Sequence, residues 1–350
     1  DDYDMVIISP RKFSRPLQKL IDHKTTVGIN TLLKTTENIY DEYTGADKPE
    51  QIKHFIKDAY DTWNIKYVML VGGMKSYFLG IPRDDQNQGS TSWHVPVRYS
   101  NNYADEFDPG FITDLYYADI YDGENFSDWD SNGNGIFGEW GITGKDEIDL
   151  HPDVYVGRLA CRNRIEVNIM VNIIITYETE PIDPSWFNKM VVVGGDNWDD
   201  TGLDICEGEC ICNKSLSYMP EFEHIRIFAS NQDTGGLVPN TDDIVNTVSE
   251  GCGFLLFVGM ANPSKWLTHW PGDFDAWTEG ISCYDQLKLK NNNKLPICLL
   301  NGNCLSQCNV TLLATLKNEP YMNTHGLPIP ECLSWWMTRN LNGGAIATIG

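Results

Sequence analysis

Residues 251–263 read Gly-Cys-Gly-Phe-Leu-Leu-Phe-Val-Gly-Met-Ala-Asn-Pro, and this stretch decides the predicted fold. Five apolar residues in a row, Phe254 to Val258, stand between glycines, and Pro263 follows. A short apolar run bounded by turn residues is typical of a strand covered on both faces, as in a parallel sheet. The residues after Val258 are therefore expected at the carboxyl edge of a sheet, where ligands bind in open α/β folds.

A second run of the same kind, Leu295-Pro-Ile-Cys-Leu-Leu300, ends in Asn301-Gly-Asn-Cys304. If the two strands are neighbours, residues 259–263 and 301–308 face each other across one crevice, which is the predicted site. We also predict a helix from Ser306 to about Leu316 that begins at this crevice. The N–H groups at such a helix end would lower the pKa of a nearby thiol.

Strands and helices alternate through the rest of the chain, which predicts an α/β fold with mainly parallel sheets flanked by helices. Prolines at 181 and 184 mark a boundary between an amino-terminal subdomain, 1–182, and a second subdomain, 183–350. The other predicted strands are 4–9, 25–29, 67–71, 154–158, 190–193 and 224–229.

Composition excludes several classes of function. The chain has 350 residues, 41% of them hydrophobic, and a formal charge of −23, so a nucleic-acid partner is not expected. No stretch approaches the ~20 apolar residues of a membrane helix.

A strand follows residue 1 almost directly, and residues 343–350 predict another strand that is cut short. We therefore expect a mature or trimmed chain with more sequence after residue 350.

An acidic segment predicts a calcium site. Between Asp105 and Asp153 there are fourteen Asp or Glu residues and one basic residue, Lys145. Within it, Asp130-Ser-Asn-Gly-Asn-Gly135 places oxygen-bearing side chains at alternate positions and a glycine at the sixth, as in the first half of a calcium loop. The usual glutamate at the twelfth position is absent, and the alternative is a solvated turn. The predicted ligands are Asp130, Asn132, Asn134, the Ile136 carbonyl and Glu139.

Cysteines and possible glycan acceptors favour an extracellular or cell-surface location. There are ten cysteines, three of them crowded at Cys206, Cys210 and Cys212, which predicts disulfides outside the cell and, less strongly, a zinc site. Asn125, Asn213 and Asn309 begin glycosylation triplets.

The two strand ends also carry a family resemblance. The chain resembles the gingipain-like cysteine peptidases, a caspase-like family in which one strand ends in Gly-His-Gly and another in a small residue followed by the nucleophilic Cys. Trp266, Ser306-Gln307, Asn309-Val310 and Trp335-Trp336 fit an archaeal-type branch of it. The resemblance implies a caspase-like fold, cysteine endopeptidase chemistry and a peptide or protein ligand.

Within this resemblance the catalytic motifs are degenerate. Met260-Ala261 stands where the family has His-Gly, and Asn303 stands where it has Cys, with Cys304 one residue later. One hypothesis is therefore an impaired peptidase domain that serves as a binding or structural module of an extracellular assembly. The alternative is a secreted cysteine endopeptidase with a shifted site, in which Cys304 is the nucleophile and His269 the base. His325 is a weaker third candidate for the base. Cys304 could instead pair with Cys308 in a disulfide.

Overall fold

The computed structural model describes residues 2–80, 91–102, 110–141, 144–180, 183–198, 206–317 and 327–350. Two compact units make up the chain, Asp1–Val171 and Asn172–Gly350. Each has its own parallel sheet with helices around it, so the predicted α/β class with flanked parallel sheets is confirmed. Among the residues described, no helix combines the length and the apolar character needed to cross a membrane.

Among its described residues the first unit has ten strands, and the two-residue strands all lie between residues 98 and 140. They are β1 (Met5–Ser9), β2 (Thr31–Thr35), β3 (Tyr67–Val71), β4 (Arg98–Tyr99), β5 (Asn101–Asn102), β6 (Ile112–Thr113), β7 (Tyr121–Asp122), β8 (Asn125–Phe126), β9 (Glu139–Trp140) and β10 (Tyr155–Leu159). Its helices are α1 (Ser14–Thr26), α2 (Thr36–Glu42), α3 (Lys48–Trp63), α4 (Leu115–Ala118) and α5 (Arg164–Thr179), the last of which runs past the unit boundary.

The main sheet of the first unit has the order β10-β3-β1-β2, and all of its pairs are parallel. Helix α3 shows why such a helix forms and packs on the sheet. The Asp47 side chain caps its first turn by accepting a hydrogen bond from the Glu50 N–H, and Asn64 ends it in the left-handed conformation. Ile52, Phe55 and Ile56 share one face at helical spacing and are buried in the core.

One predicted strand of this unit is wrong. Residues 25–29 do not form a strand, because α1 continues through Thr26 and β2 begins only at Thr31. The Thr25 and Thr26 hydroxyls donate hydrogen bonds to carbonyls one turn earlier, at Ile21 and Asp22, which allows two β-branched residues to extend the helix. Gly28, with φ of +85°, then turns the chain towards β2.

The second unit contains the sheet that carries the predicted crevice. Its strands are β11 (Lys189–Gly194), β12 (Glu223–Phe228), β13 (Phe254–Val258), β14 (Met260–Asn262), β15 (Lys265–Trp270), β16 (Asp273–Ser282), β17 (Ile297–Asn301) and β18 (Ala347–Ile349). Its helices are α6 (Pro184–Phe187), α7 (Glu207–Ser217), α8 (Thr241–Glu250), α9 (Leu312–Leu316) and α10 (Leu333–Thr338).

The five-stranded sheet has the order β12-β11-β13-β17-β18, and every pair in it is parallel. Strand β13 is the central one, and its Leu255 and Phe257 are fully buried. Helix α7 packs against the carboxyl ends of β11 and β13, where a Cβ on Gly208 would lie 2.6 Å from the Val258 carbonyl oxygen. Only a glycine allows the helix to come this close, so Gly208 sets one wall of the sheet edge.

Candidate functional site

The two apolar strands identified in the sequence lie side by side. Strands β13 and β17 pair in parallel, with Val258 opposite Asn301. The Gly259 N–H continues the ladder by donating a hydrogen bond of 3.1 Å to the Asn301 carbonyl oxygen. The segments that follow both strands therefore leave the same edge of the sheet as neighbours, and this prediction is confirmed.

The chain after β13 is held by a small antiparallel sheet of order β14-β15-β16, which the sequence did not predict. Trp266, fully buried on β15, fixes this segment, because a Cβ on Gly259 would lie 2.5 Å from its indole ring. Met260 and Ala261 are half-buried and pair with Leu267 and Trp266. The backbone of the first crevice wall is thus fixed without any contribution from the Met260 side chain.

The chain after β17 stays close to that wall. A Cβ on Gly302 would lie 2.8 Å from the Ala261 Cβ, so the two segments touch. Asn303 and Cys304 are exposed, and Cys304 has the left-handed backbone conformation with φ of +61°. Both residues that the sequence singled out on this side therefore lie on the surface next to the first wall.

The helix predicted from Ser306 is wrong. Residues 302–310 form turns, and α9 begins only at Leu312. Thr311, with φ of −136° and ψ of 158°, has an extended backbone that no helix can include, and the Gln307 N–H donates instead to the Cys304 carbonyl in a turn. Because α9 begins eight residues after Cys304, the predicted activation of its thiol by the amino end of that helix does not apply.

His269 lies on β15, next to the end of a different strand. The backbone N–H of His269 donates a 2.9 Å hydrogen bond to the backbone carbonyl of Asp196, a residue that follows β11. Strand β13 lies between β11 and β17, so the ends of β11 and β17 are separated by two strand spacings, about 10 Å. The structure thus places His269 beside the end of β11 and Cys304 beyond the end of β17, and their pairing stays a prediction.

The His269 ring is enclosed by aromatic side chains. It stacks on Trp277 with 3.7 Å between ring centroids and meets Phe274 edge-on at 5.2 Å. The residue is only 5% exposed, and within the described part of the chain its buried Nδ1 has no hydrogen-bond partner. Burial lowers the pKa of His269, and the carboxylates of Asp196 and Asp273 oppose this shift. The lowered pKa favours the uncharged form of the ring.

Sequence reasoning missed Asp196 and Trp277 as neighbours of His269. The strand exit Gly194-Gly195-Asp196 was a usable signal, because polar residues after a buried strand collect at the carboxyl edge of a sheet. Trp277 gave no local signal, since it reaches the ring through the antiparallel pairing of β15 with β16. His325, the third candidate base, lies outside the described residues.

The residues predicted to bind calcium form a compact loop in the first unit. The Asp130 carboxylate accepts hydrogen bonds of 2.9 Å from the N–H groups of Asn134 and Gly135. The Asn132 and Asn134 amides both reach one oxygen of Glu139, at 3.1 and 2.7 Å. The Glu139 side chain, 5% exposed, thus faces Asn132 and Asn134, and calcium binding by these residues stays a prediction.

All ten cysteines are thiols in this structure. Cys212 is buried on α7 and contacts the Val193 carbonyl, whereas Cys210 is exposed on the same helix. Among the described residues, no group of three or more His, Cys, Asp or Glu side chains is arranged to hold a metal ion. The zinc alternative for the crowded cysteines therefore has no geometric support.

Comparison with known proteins then fixes the family. The sequence pattern of peptidase family C25 matches residues 1–350, the full length given. This chain belongs to peptidase family C25. It is 20% identical to gingipain R2 of Porphyromonas gingivalis over 312 residues, which cover 86% of this chain and 32% of that protein. The chain thus spans about a third of the length of this curated relative.

Solved structures related to this C25 chain share its fold. The crystal structure of the Arg-specific cysteine proteinase gingipain R matches 100% of this chain and 62% of that one, with a TM-score of 0.62 and 17% identity. A complex of the pro- and mature domains of RgpB from Porphyromonas gingivalis gives a TM-score of 0.61 at 18% identity, covering 99% of this chain and 63% of that one. The caspase-like fold expected from the resemblance is thereby confirmed.

Proposed function

We propose that this chain is a gingipain-like peptidase domain that has lost proteolysis and acts as a peptide- or protein-binding, or structural, module of an extracellular protein. One observation carries the proposal. The paired strands β13 and β17 lead into Met260 and Asn303, at the two positions where the family resemblance expects His and Cys. A thioether cannot accept the proton of a nucleophile, and a carboxamide does not attack a peptide carbonyl at neutral pH.

The crevice itself does not depend on these two side chains. Its walls are held by the hydrogen bond between Gly259 and Asn301, by the contact between Gly302 and Ala261, and by the buried Trp266. Loss of the catalytic pair therefore leaves the two strand ends held side by side, as a binding function at this edge would need.

A shifted active site is the second candidate. In its favour, Cys304 is exposed in the segment that follows β17. Against it, Cys304 does not lie at the amino end of α9, and His269 lies beside the end of β11 with its ring against Trp277. The geometry therefore favours the impaired domain over the shifted enzyme.

Labelling with a thiol-reactive peptidyl ketone tests this proposal. An activated nucleophile reacts much faster with the peptidyl probe than with iodoacetamide, because the site binds the peptide and stabilises the reacting oxyanion. We expect the probe to label Cys304 no faster, relative to iodoacetamide, than it labels the exposed Cys210, measured by mass spectrometry of both sites. Selective and rapid labelling of Cys304 by the peptidyl probe would support the shifted enzyme instead.

We also propose that the loop of the first unit binds calcium. Three observations fit this ion: the Asn132 and Asn134 amides meet at the buried Glu139 carboxylate, the Asp130 carboxylate is held by the loop N–H groups, and Gly133 and Gly135 have φ of +70° and +80°, which the tight turn needs. Rotation of the Asn132 and Asn134 amides would present oxygen atoms in place of nitrogen. The residues that would hold the ion are Asp130, Asn132, Asn134, the Ile136 carbonyl and Glu139.

Calcium is expected to stabilise the chain, because the folded loop binds it and the unfolded chain does not. At a free concentration one hundred times Kd the gain is about 2.7 kcal/mol. Thermal unfolding in calcium and in EGTA should therefore differ by several degrees, and Glu139→Gln should abolish most of this difference. The matched control is Asp122→Asn, which removes an exposed carboxylate of the same acidic segment. Equal melting temperatures with and without calcium in the unmodified chain would show that the loop is only a turn.

An extracellular or cell-surface location remains part of the proposal, as does assembly there with other domains. Of the three glycosylation triplets, those at Asn125 and Asn213 are exposed, but Asn309 is only 5% exposed and cannot carry a glycan in this fold. Placement in an archaeal-type branch of the family also stays a prediction.

A further inference from the structure

Two cysteines from distant parts of the second unit touch each other beside the crevice. The Sγ atoms of Cys308 and Cys332 are 3.8 Å apart. Cys308 is half-buried in the loop after β17, and Cys332 is fully buried at the start of α10. We propose that these two residues form a disulfide under oxidising conditions, a modification site that ties the loop carrying Asn303 and Cys304 to α10.

The surrounding backbone already holds the two segments together. At the first turn of α10, the Ser334 N–H donates to the Leu305 carbonyl at 3.2 Å, and the Leu333 N–H donates to the Pro263 carbonyl at 2.9 Å. A disulfide has an S–S length near ~2.05 Å, so the sulfur atoms must approach by about 1.8 Å. Cys308 lies in an irregular loop, where a small backbone shift and a side-chain rotation supply this movement without breaking a helix or a strand.

The chemistry requires an external oxidant, which we take to be a low-molecular-weight disulfide such as oxidised glutathione. The half-buried Cys308 thiolate attacks one glutathione sulfur and releases the first glutathione thiol. The Cys332 thiolate then attacks the Cys308 sulfur and releases the second. Overall, the two cysteines lose two electrons and two protons, and one glutathione disulfide becomes two thiols. In the reduced chain, the hydrogen bond with Cys308 lowers the pKa of the Cys332 thiol against the opposing effect of burial. The hydrogen bonds with Ser334 and the Trp335 backbone lower this pKa too, and they remain in the second step, when Cys308 carries glutathione.

A third cysteine lies close by but is not the partner. The Cys283 sulfur contacts the Pro263 and Glu331 carbonyl oxygens at 3.8 and 3.7 Å. Burial raises the pKa of the Cys283 thiol well above its ordinary value, so it does not supply the attacking thiolate. The three thiols do not form a metal site either, since the described residues contain no metal-holding group of three or more such side chains.

The bond would close a ring of residues 308–332, which restricts the unfolded chain. A ring of this size is expected to raise the melting temperature of the oxidised chain by about 5–10 °C relative to the reduced chain. Because Cys308 lies in the loop that follows β17 and Cys332 at the start of α10, the bond would also restrict movement of residues 302–310.

Oxidation of the full chain with glutathione disulfide, followed by thiol titration in denaturant and tryptic mapping, tests the proposal. We expect ten reactive thiols before oxidation and two of them joined to each other afterwards, counted with intact mass so that glutathione bound to exposed thiols such as Cys210 and Cys304 is distinguished. Trypsin cuts after Lys294, Lys317 and Arg339, so the proposed bond joins peptide 295–317 to peptide 318–339. A bond between Cys304 and Cys308 would instead stay within peptide 295–317.

Variants in the same loop provide the controls. Cys308→Ser should abolish both the linked peptides and the rise in melting temperature, whereas Cys304→Ser should keep both. Because Cys308 is only half-buried, its serine variant is expected to fold, which circular dichroism checks, and Cys308→Ala provides a second variant of the same kind. A chain that keeps all ten thiols, or that links Cys304 to Cys308, would overturn the proposal.

Discussion

The variant that combines Met260→His, Ala261→Gly and Asn303→Cys is expected to hydrolyse peptides at least ~100-fold faster than the unmodified chain. The reason is the geometry at the sheet edge, where the segments after β13 and β17 are hydrogen-bonded through Gly259 and Asn301 and touch at Gly302. A base and a thiol restored at positions 260 and 303 would therefore come from adjacent strand ends. The Ala261→Gly change adds room for a substrate backbone beside the new histidine.

Two matched variants show whether any gain comes from the restored pair. Replacing the new histidine by glutamine, or the new cysteine by serine, keeps the size of each side chain and removes its function. Each should return the rate close to that of the unmodified chain, because a nucleophile and its base act as a unit. A correctly folded triple variant without hydrolysis would show that these substitutions alone do not explain the loss of activity.

The second large effect is expected on stability, from a buried ion pair of the first unit. Arg98 donates two hydrogen bonds to the Asp47 carboxylate, at 2.5 and 2.9 Å, and its side chain is fully buried. Its guanidinium also lies over the rings of Tyr116 and Phe137, at 4.3 and 3.8 Å. Arg98→Ala leaves the Asp47 carboxylate buried without its cation, so the free energy of unfolding should fall by about 3–5 kcal/mol.

Chemical denaturation of three further variants separates this charge effect from other causes. Lys57→Ala breaks an exposed pair with Asp61 and should cost at most about 1 kcal/mol. Asp47→Asn with Arg98→Met removes both buried charges, while asparagine still caps α3, and should recover a large part of the stability lost in Arg98→Ala. A double variant as unstable as Arg98→Ala would contradict this explanation and assign the loss to packing.

The centre of the parallel sheet in the second unit was predictable because β11, β13 and β17 are largely apolar runs with a glycine at or just beyond their ends. Strands β13 and β17 are the clearest cases, and their pairing followed from the shared character of their ends. The antiparallel strands β14 to β16 were not predicted, since their polar and apolar residues alternate weakly and the packing of Trp266 against Gly259 and Gly280 gives no local sequence signal. The helix expected from Ser306 failed because the apolar spacing there did not reveal the extended backbone of Thr311.

Much of the candidate site could not be derived from local sequence. The residues around His269 come from β11, β15 and β16, so its burial and its lowered pKa depend on tertiary contacts with Asp196 and Trp277. The contact of Cys308 with Cys332 could not be derived from local sequence either, because the two residues lie twenty-four positions apart in the chain. In contrast, the residues of the proposed calcium loop lie within ten positions of one another, and the structure places Glu139 beside Asn132 and Asn134, while calcium binding itself stays a prediction.

The most direct test of the central claim compares the unmodified chain with Cys304→Ala on a broad peptide library, in calcium and under reducing conditions. The proposed loss of catalysis predicts that both proteins cleave at the same background rate, because Met260 and Asn303 supply neither base nor nucleophile. Peptides retained without cleavage, measured on the same library, would add direct support for a binding module. Robust cleavage by the unmodified chain that disappears in Cys304→Ala would contradict the claim and establish the shifted cysteine peptidase.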